Sequence, residues 1–305
     1  MSNIQIVISY FPEHIRKIFN KISIQNYNEI QEIRFRIKRP LSISFSSGEK
    51  FLKNNGTLTS LYNEEVLHID KKEIEEIFQS ICEYSIYKYA NEIEEGYITI
   101  KGGNRVGICG TAIYSNEKHV QIRDISGLNF RIAKQIKNCA SYLYSKVFSS
   151  SLAGLLIIGP VSSGKTTIIR DLCRILGQTH KISLIDSRNE IAGVLNGIPQ
   201  NDIGIHTDVY DGFIRSKGCL TALRVMSPEI IICDEIGSED DINALLKIHC
   251  CGVCIIATAH ALCIDDAYKR KALKQLIDAG VFKNIALLGT KENQGTVISI
   301  KQVNV

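Results

Sequence analysis

Gly159, Pro160, Val161, Ser162, Ser163, Gly164, Lys165 and Thr166 follow the spacing G-x-x-x-x-G-K-S/T. Glycines at both ends let a backbone wrap until successive N–H groups point inward, which suits a chain of phosphates. A lysine at this place supplies a point charge for the β- and γ-phosphates of ATP, and the Thr166 hydroxyl is a ligand for Mg²⁺. Thr167 carries the set into the first turn of a helix, whose positive end favours the same anion. A bare glycine-rich turn would share the glycines. Here an apolar strand precedes the loop and a helix follows it.

Residues 230–235, IIICDE, form a second station: an apolar strand that ends in two acids. A strand of this kind beside the phosphate loop brings carboxylates to the γ side of a nucleotide. Asp234 is then expected to hold Mg²⁺ through water, and Glu235 to polarise the attacking water. Two more stations sit at strand ends. Asp186 and Glu190 follow KISLI, and Thr258 and His260 close VCIIATAH, where either could sense the γ-phosphate. Capping or turn roles are open for all four.

The elements that must position these residues alternate. LAGLLIIGP reads as a buried strand, Lys165 to about Leu176 as a helix and KISLID as the next strand, followed by a long loop through Asp211. IIICDE and VCIIATAH are further strands, separated by a helix near Asp240 to His249. Such alternation implies a parallel sheet covered by helices. The segments IALLG and TVISI read as two edge strands joined through residues 292–295.

The first half reads differently. Residues 10–21 suggest an amphipathic helix. Ile33, Phe35 and Ile37 alternate with Arg34 and Arg36, as in a half-buried strand, and LSISF follows Pro40 as another. Residues 71–94 carry Ile74, Ile77, Phe78 and Ile81 at helical spacing. YITI, RVGICGTAIY and VQIRDI read as strands, with Gly102 and Gly103 at a turn. The expected domains are therefore residues 1–140, α+β, and residues 141–305, a RecA-like α/β P-loop NTPase domain, with the boundary within residues 135–150.

The 305 residues suffice for two domains, and the net charge of +4 is spread out with no long Lys/Arg run, so no nucleic-acid partner is expected. The first residues lack a secretory pattern, and no apolar stretch is long enough to span a bilayer. A cytoplasmic chain with ten reduced cysteines is expected, held at any membrane by partners. Cys250, Cys251 and Cys254, with His249 and His260, offer half of a zinc spacing, but Cys254 falls in an apolar strand, where cysteine is an ordinary small core residue. Arg105, Arg123, Arg131 and Arg224 are candidates for a finger acting on a neighbouring subunit's site.

Together these stations resemble the secretion-superfamily ATPases of type II, type IV and pilus machines. LRVMSPEIIICDEIG is similar to their L-R-x-x-P-D and acidic strand, IDSRNE to the aspartate box and GVCIIATAHA to the histidine box. More closely, EIRFRIKRPL, GYITIKGGNRVGICGTA, SGLNFRIAKQI and the site segments resemble the stage III sporulation AA family. That family's ATPase serves the channel between mother cell and forespore in endospore formation. The resemblance implies Lys165 and Thr166 on phosphates and Mg²⁺, Glu235 as the catalytic acidic residue, and Glu190 and His260 as the two box residues. It implies a homo-oligomeric ring, a hexamer, in the mother-cell cytoplasm, held at the membrane by membrane proteins of the stage III sporulation A channel complex. Ser187 stands where an acidic residue is usual, and DGFIRSKGCL is looser than the family's small-residue segment. The alternatives are a nucleic-acid-dependent ATPase and a non-hydrolysing nucleotide switch or scaffold.

Overall fold

A computed structural model describes residues 2–116 and 119–303. The chain divides into two compact units, Met1–Lys134 and Gln135–Val305.

The N-terminal unit begins with α1 (Asn3–Ile8), α2 (Glu13–Phe19) and α3 (Ile24–Glu29). β1 (Ile30–Arg36), β2 (Ser42–Phe45), β3 (Gly48–Leu52) and the short β4 (Leu58–Thr59) follow. Next come α4 (Lys71–Ile81), α5 (Ala90–Glu94), β5 (Tyr97–Ile100), β6 (Asn104–Asn116) and β7 (His119–Arg131). The sheet runs β4-β3-β2-β1-β7-β6-β5 with antiparallel pairing throughout. Alternation in β1 buries Ile33 and Phe35. Phe11, Phe19, Phe35 and Phe130 form the centre of the core, with ring centroids 4.8–5.7 Å apart in edge or tilted contacts, the arrangement that ring quadrupoles favour.

Two expectations need correction here. The helix over 10–21 is shorter and begins at Glu13, because Phe11 turns into the core ahead of it. The helix over 71–94 breaks after Ile81. The apolar spacing lapses there, and Glu83 and Tyr84 take positive φ values of 50° and 59°, which no right-handed helix accommodates. Asp70 and Glu73 form a capping box that fixes the start of α4.

The C-terminal unit contains α6 (Ser141–Val147), β8 (Leu155–Gly159), α7 (Lys165–Leu176), β9 (Ile182–Asp186), β10 (Thr207–Asp211) and α8 (Arg215–Val225). These are followed by β11 (Ile230–Cys233), α9 (Glu239–Cys250), β12 (Cys254–His260), α10 (Ile264–Lys269), α11 (Lys271–Asp278), β13 (Asn284–Leu288) and β14 (Val297–Gln302). The sheet order is β10-β9-β11-β12-β8-β13-β14, parallel except for the β13–β14 pair. The strands read as unbroken apolar runs because both faces are covered. Leu155 and Ile157 of β8 enter one core with α6 and α7, while Leu156 and Ile158 enter the other with α9 and α11.

The loop expected through Asp211 contains β10. Its polar TDVYD pattern belongs to an edge strand paired on one side only, so no continuous apolar run announces it. Of the two expected edge strands, only β14 is an edge; β13 lies between β8 and β14. β11 does not adjoin β8, since β12 lies between them. α7 packs across β8, β12 and β9 and so carries its first turn toward the end of β11.

Candidate functional site

The strand register gathers the polar residues. Cys233 of β11 pairs with Ile185 of β9 on one side and Ala257 of β12 on the other. The next residue on each strand is Asp234, Asp186 and Thr258, so all three reach the same level of the sheet edge. His260 pairs with Gly159, which brings the end of β12 to the start of the glycine-rich loop.

The loop itself needs its glycines. Gly164 has φ 92°, and a Cβ there would sit 2.9 Å from the backbone nitrogen of Gly295. A Cβ on Gly159 would lie 2.5 Å from Ser163 Oγ. Ser162 also takes a positive φ of 60°. The Gly295 N–H, from the loop joining β13 to β14, donates to the Ser163 carbonyl at 2.9 Å. Gly164 caps α7 without a side chain, which leaves the first-turn N–H groups for an external acceptor. Ser163 Oγ is buried with no hydrogen-bond partner. Val161 stands exposed at the crest.

Lys165 is 6% exposed, and its ammonium donates to the Gly159 and Pro160 carbonyls at 3.0 and 2.7 Å. Burial lowers its pKa, opposed by the charges of Asp234 and Glu235. The Thr166 hydroxyl donates to Asp234 Oδ2 at 3.0 Å. Thr258, fully buried, donates its hydroxyl to Asp234 Oδ1 and accepts the Glu235 N–H at 2.8 Å. Glu235 is thereby fixed at φ 52°, and its carboxylate meets the Arg188 guanidinium on one oxygen and His260 Nε2 at 3.8 Å on the other.

Asp186 is buried and accepts the N–H groups of Glu190, Ile191 and Ala192 at 2.8–3.0 Å. Burial pushes its carboxyl up from the ordinary value, against the pull of those three bonds. It shapes the loop that follows. Glu190 is tied to the same device through its backbone, its N–H held by Asp186 and its carbonyl by the Arg170 guanidinium.

Thus Lys165, Thr166, Asp234, Glu235, Thr258 and His260 converge at one edge, with Asp186 and Glu190 beside them. The fit with a nucleotide and Mg²⁺ rests on the unpartnered Ser163 Oγ, the uncapped start of α7 and the Thr166–Asp234 pair. The candidate finger arginines have other contacts: Arg105 lies over the Tyr97 ring, Arg123 pairs with Asp124, Arg131 with Glu32, and Arg224 donates to the Leu220 carbonyl. Cys254 is half-buried at the start of β12, its thiol pushed up to about 12 by burial, while Cys250 and Cys251 are exposed.

The family model described as "Sporulation stage III, protein AA" matches residues 2–304. The chain belongs to the sporulation stage III, protein AA family. It is 36% identical to "Stage III sporulation protein AA" of Bacillus subtilis (strain 168), over 96% of this chain and 94% of that protein. In fold it is similar to the pilus retraction motor PilT with bound ADP, with TM-score 0.57, 15% identity, and 90% of this chain and 76% of that chain covered. The Legionella pneumophila ATPase DotB is similar as well, with TM-score 0.52, 16% identity, and 85% and 72% covered. The fold is that of the P-loop secretion ATPases, with an N-terminal domain ahead of the ATPase-like one. Among the described residues, no helix is long and apolar enough to cross a membrane.

In this stage III AA family member two site residues escaped the sequence reading. Arg170 lies one helical turn beyond Thr166 and donates to the carbonyls of Ile191 and Glu190 at 2.9 and 2.5 Å. Burial pulls its guanidinium down from the ordinary value, opposed by Asp186, Glu190 and Asp234. The i+4 spacing from Thr166 was the available signal. Arg188 carried no signal, because its contact with Glu235 joins two strand ends that are distant in sequence. Ser187, the departure in the aspartate box, is half-buried with an unpartnered Oγ.

Proposed function

We propose that this chain hydrolyses ATP at the loop of residues 159–166. The observation that carries the reading is the convergence of Lys165, the Thr166–Asp234 pair and Glu235 on one edge of a parallel sheet, where α/β folds bind ligands. On this reading the N–H groups at the start of α7 and of the loop cradle the phosphates, and Lys165 exchanges its loop carbonyls for the β- and γ-oxygens. Thr166 and, through water, Asp234 would hold Mg²⁺, which supplies neutralisation of phosphate charge. Glu235 orients the attacking water, and its fixed backbone keeps the carboxylate aimed at one place. His260 flanks that place as a polar contact for the terminal phosphate, and Glu190 stands beside it as a second candidate carboxylate.

Family membership supports a role in sporulation, and the secretion-ATPase fold supports coupling of hydrolysis to assembly of, or transport through, the mother cell–forespore channel. The chain would then act as a hexameric ring in the mother-cell cytoplasm, bound to membrane proteins of the stage III sporulation A complex.

The deciding experiment is titration with labelled ATP. Lys165→Ala removes the phosphate point charge and should weaken binding by roughly 2–4 kcal/mol, the scale of truncating one partner of a desolvated charge pair. Unchanged affinity would overturn the assignment. The ring makes a separate prediction: specific activity should rise with protein concentration from nanomolar to tens of micromolar, since a shared site exists only after association. A flat profile would point to self-sufficient sites.

A further inference from the structure

Arg188 reaches the site from outside the phosphate loop and α7 and ends on the carboxylate proposed to activate water. Its side chain is 64% exposed, and its guanidinium pairs with Glu235 Oε2, while His260 faces the other carboxylate oxygen. The loop carrying it is held by several hydrogen bonds. Asp186 gathers three consecutive N–H groups just beyond Arg188, and Asn189, at φ 52°, is tied by its side-chain amide to Val194 at both N–H and carbonyl. The Glu235 backbone is equally fixed by Thr258 and Asp234. Two hydrogen-bonded supports therefore present a long, mostly solvated arginine to a carboxylate beside the phosphate loop.

From this geometry we propose that Arg188 is a positioning residue that reads the third phosphate of the nucleotide. It pairs with Glu235 and transfers its guanidinium to the terminal phosphate when a triphosphate binds. The inference rests on the ATPase reading above and names the group that distinguishes a triphosphate from a diphosphate. The physical reason is competition. An ion pair as solvated as this one holds little. A guanidinium facing a phosphate makes parallel charge-assisted hydrogen bonds that a single carboxylate oxygen does not match. Lys165, in contrast, is buried within the loop, where on the same reading it meets the β-phosphate as well as the γ, so a diphosphate keeps part of its contact. Transfer of Arg188 removes its charge from Glu235 and leaves the carboxylate to the attacking water, so arrival of the third phosphate and release of the base are one event.

The test uses the full-length chain with Mg²⁺ and two probes, ADP and the non-hydrolysable β,γ-imido analogue of ATP. Arg188→Ala should lose roughly tenfold in affinity for the analogue, the size of one charge-assisted contact, with ADP affinity and melting temperature unchanged. Arg188→Lys should recover part of the loss, and Arg188→Gln none. A merely structural arginine would alter both nucleotides together. Equal changes for ADP and analogue, or no change in either while the wild-type chain binds both, would overturn the role of Arg188 and leave the nucleotide site standing. A wild-type chain that binds neither probe would remove the site itself and this role with it.

Discussion

The two units of this chain each build on a seven-stranded sheet, yet only one of them collects its polar residues. In the N-terminal unit neighbouring strands run in opposite directions, so consecutive strand ends fall on opposite edges. Charged residues there pair locally: Glu32 with Arg34 at 2.7 Å and with Arg131 at 3.5 Å, on β1 and β7. In the C-terminal unit β8, β9, β11 and β12 all run the same way and end at the same edge. Whatever polar residue follows each strand is delivered to one place. Direction of pairing, rather than composition, separates a surface with scattered ion pairs from a site.

Two glutamates put that difference to a direct test. Glu32 and Glu235 have similar side-chain exposure, 23% and 29%, and each is held by arginine. Glu235→Gln should keep ATP binding and lower turnover by roughly 10²–10⁴, the span of a positioned base. Glu32→Gln should stay within about threefold of wild type, the scale of an exposed ion pair. Steady-state turnover at saturating ATP checks both, and a wild-type rate for Glu235→Gln would move the chemistry to another carboxylate, with Glu190 the next to test.

The antiparallel unit should answer instead to its aromatic core. Phe130 is fully buried against Phe11 and Phe35. Phe130→Ala should cost about 3–5 kcal/mol of stability, read by denaturant unfolding, while ATP affinity of the chain that remains folded holds. Loss of binding in step with stability would mean that the phosphate loop depends on the first unit.

The smallest effect concerns acid. Lys137 pairs with Asp202 at 2.9 Å within the parallel unit, and this hydrogen bond holds the Asp202 carboxyl below its ordinary value. A carboxyl depressed in the folded state contributes its stabilisation above the unfolded pKa and loses it as pH falls from about 4 through the folded value. Lys137→Ala should therefore cost only about 0.2–0.5 kcal/mol at pH 7, given the exposure of both partners. The difference from wild type should be smaller at about pH 3 than at pH 7. Melting curves at the two pH values measure it, and a difference undiminished in acid would assign the effect to packing.

The glycine-rich loop, the acid-ended strand β11 and the polar residues at the ends of β9 and β12 were legible because apolar runs lead straight into them. The antiparallel strands showed through alternation, as at Ile33 and Phe35. What escaped was set by neighbours. β10 earns its strand state from pairing with β9, since TDVYD has no buried face of its own. α8 has little amphipathic stripe and carries Gly218 inside it. That glycine lets the helix approach β9, where a Cβ would sit 2.9 Å from Ile185 Cγ2. The break after Ile81 depends on two left-handed residues that are not glycine. Arg170 and Arg188 act through partners on other strands, and spacing along one chain does not reveal contacts made only when the sheet closes.

The hydrogen bond from the Gly295 N–H to the Ser163 carbonyl carries a consequence for the order in which the chain matures. A ribosome delivers the phosphate loop long before it delivers the β13–β14 hairpin that braces it, and domains complete as units during synthesis. A nascent chain arrested between these segments holds every residue of the loop without its brace. On the proposed reading, the loop of residues 159–166 reaches its braced form only once the β13–β14 hairpin has been made and has folded.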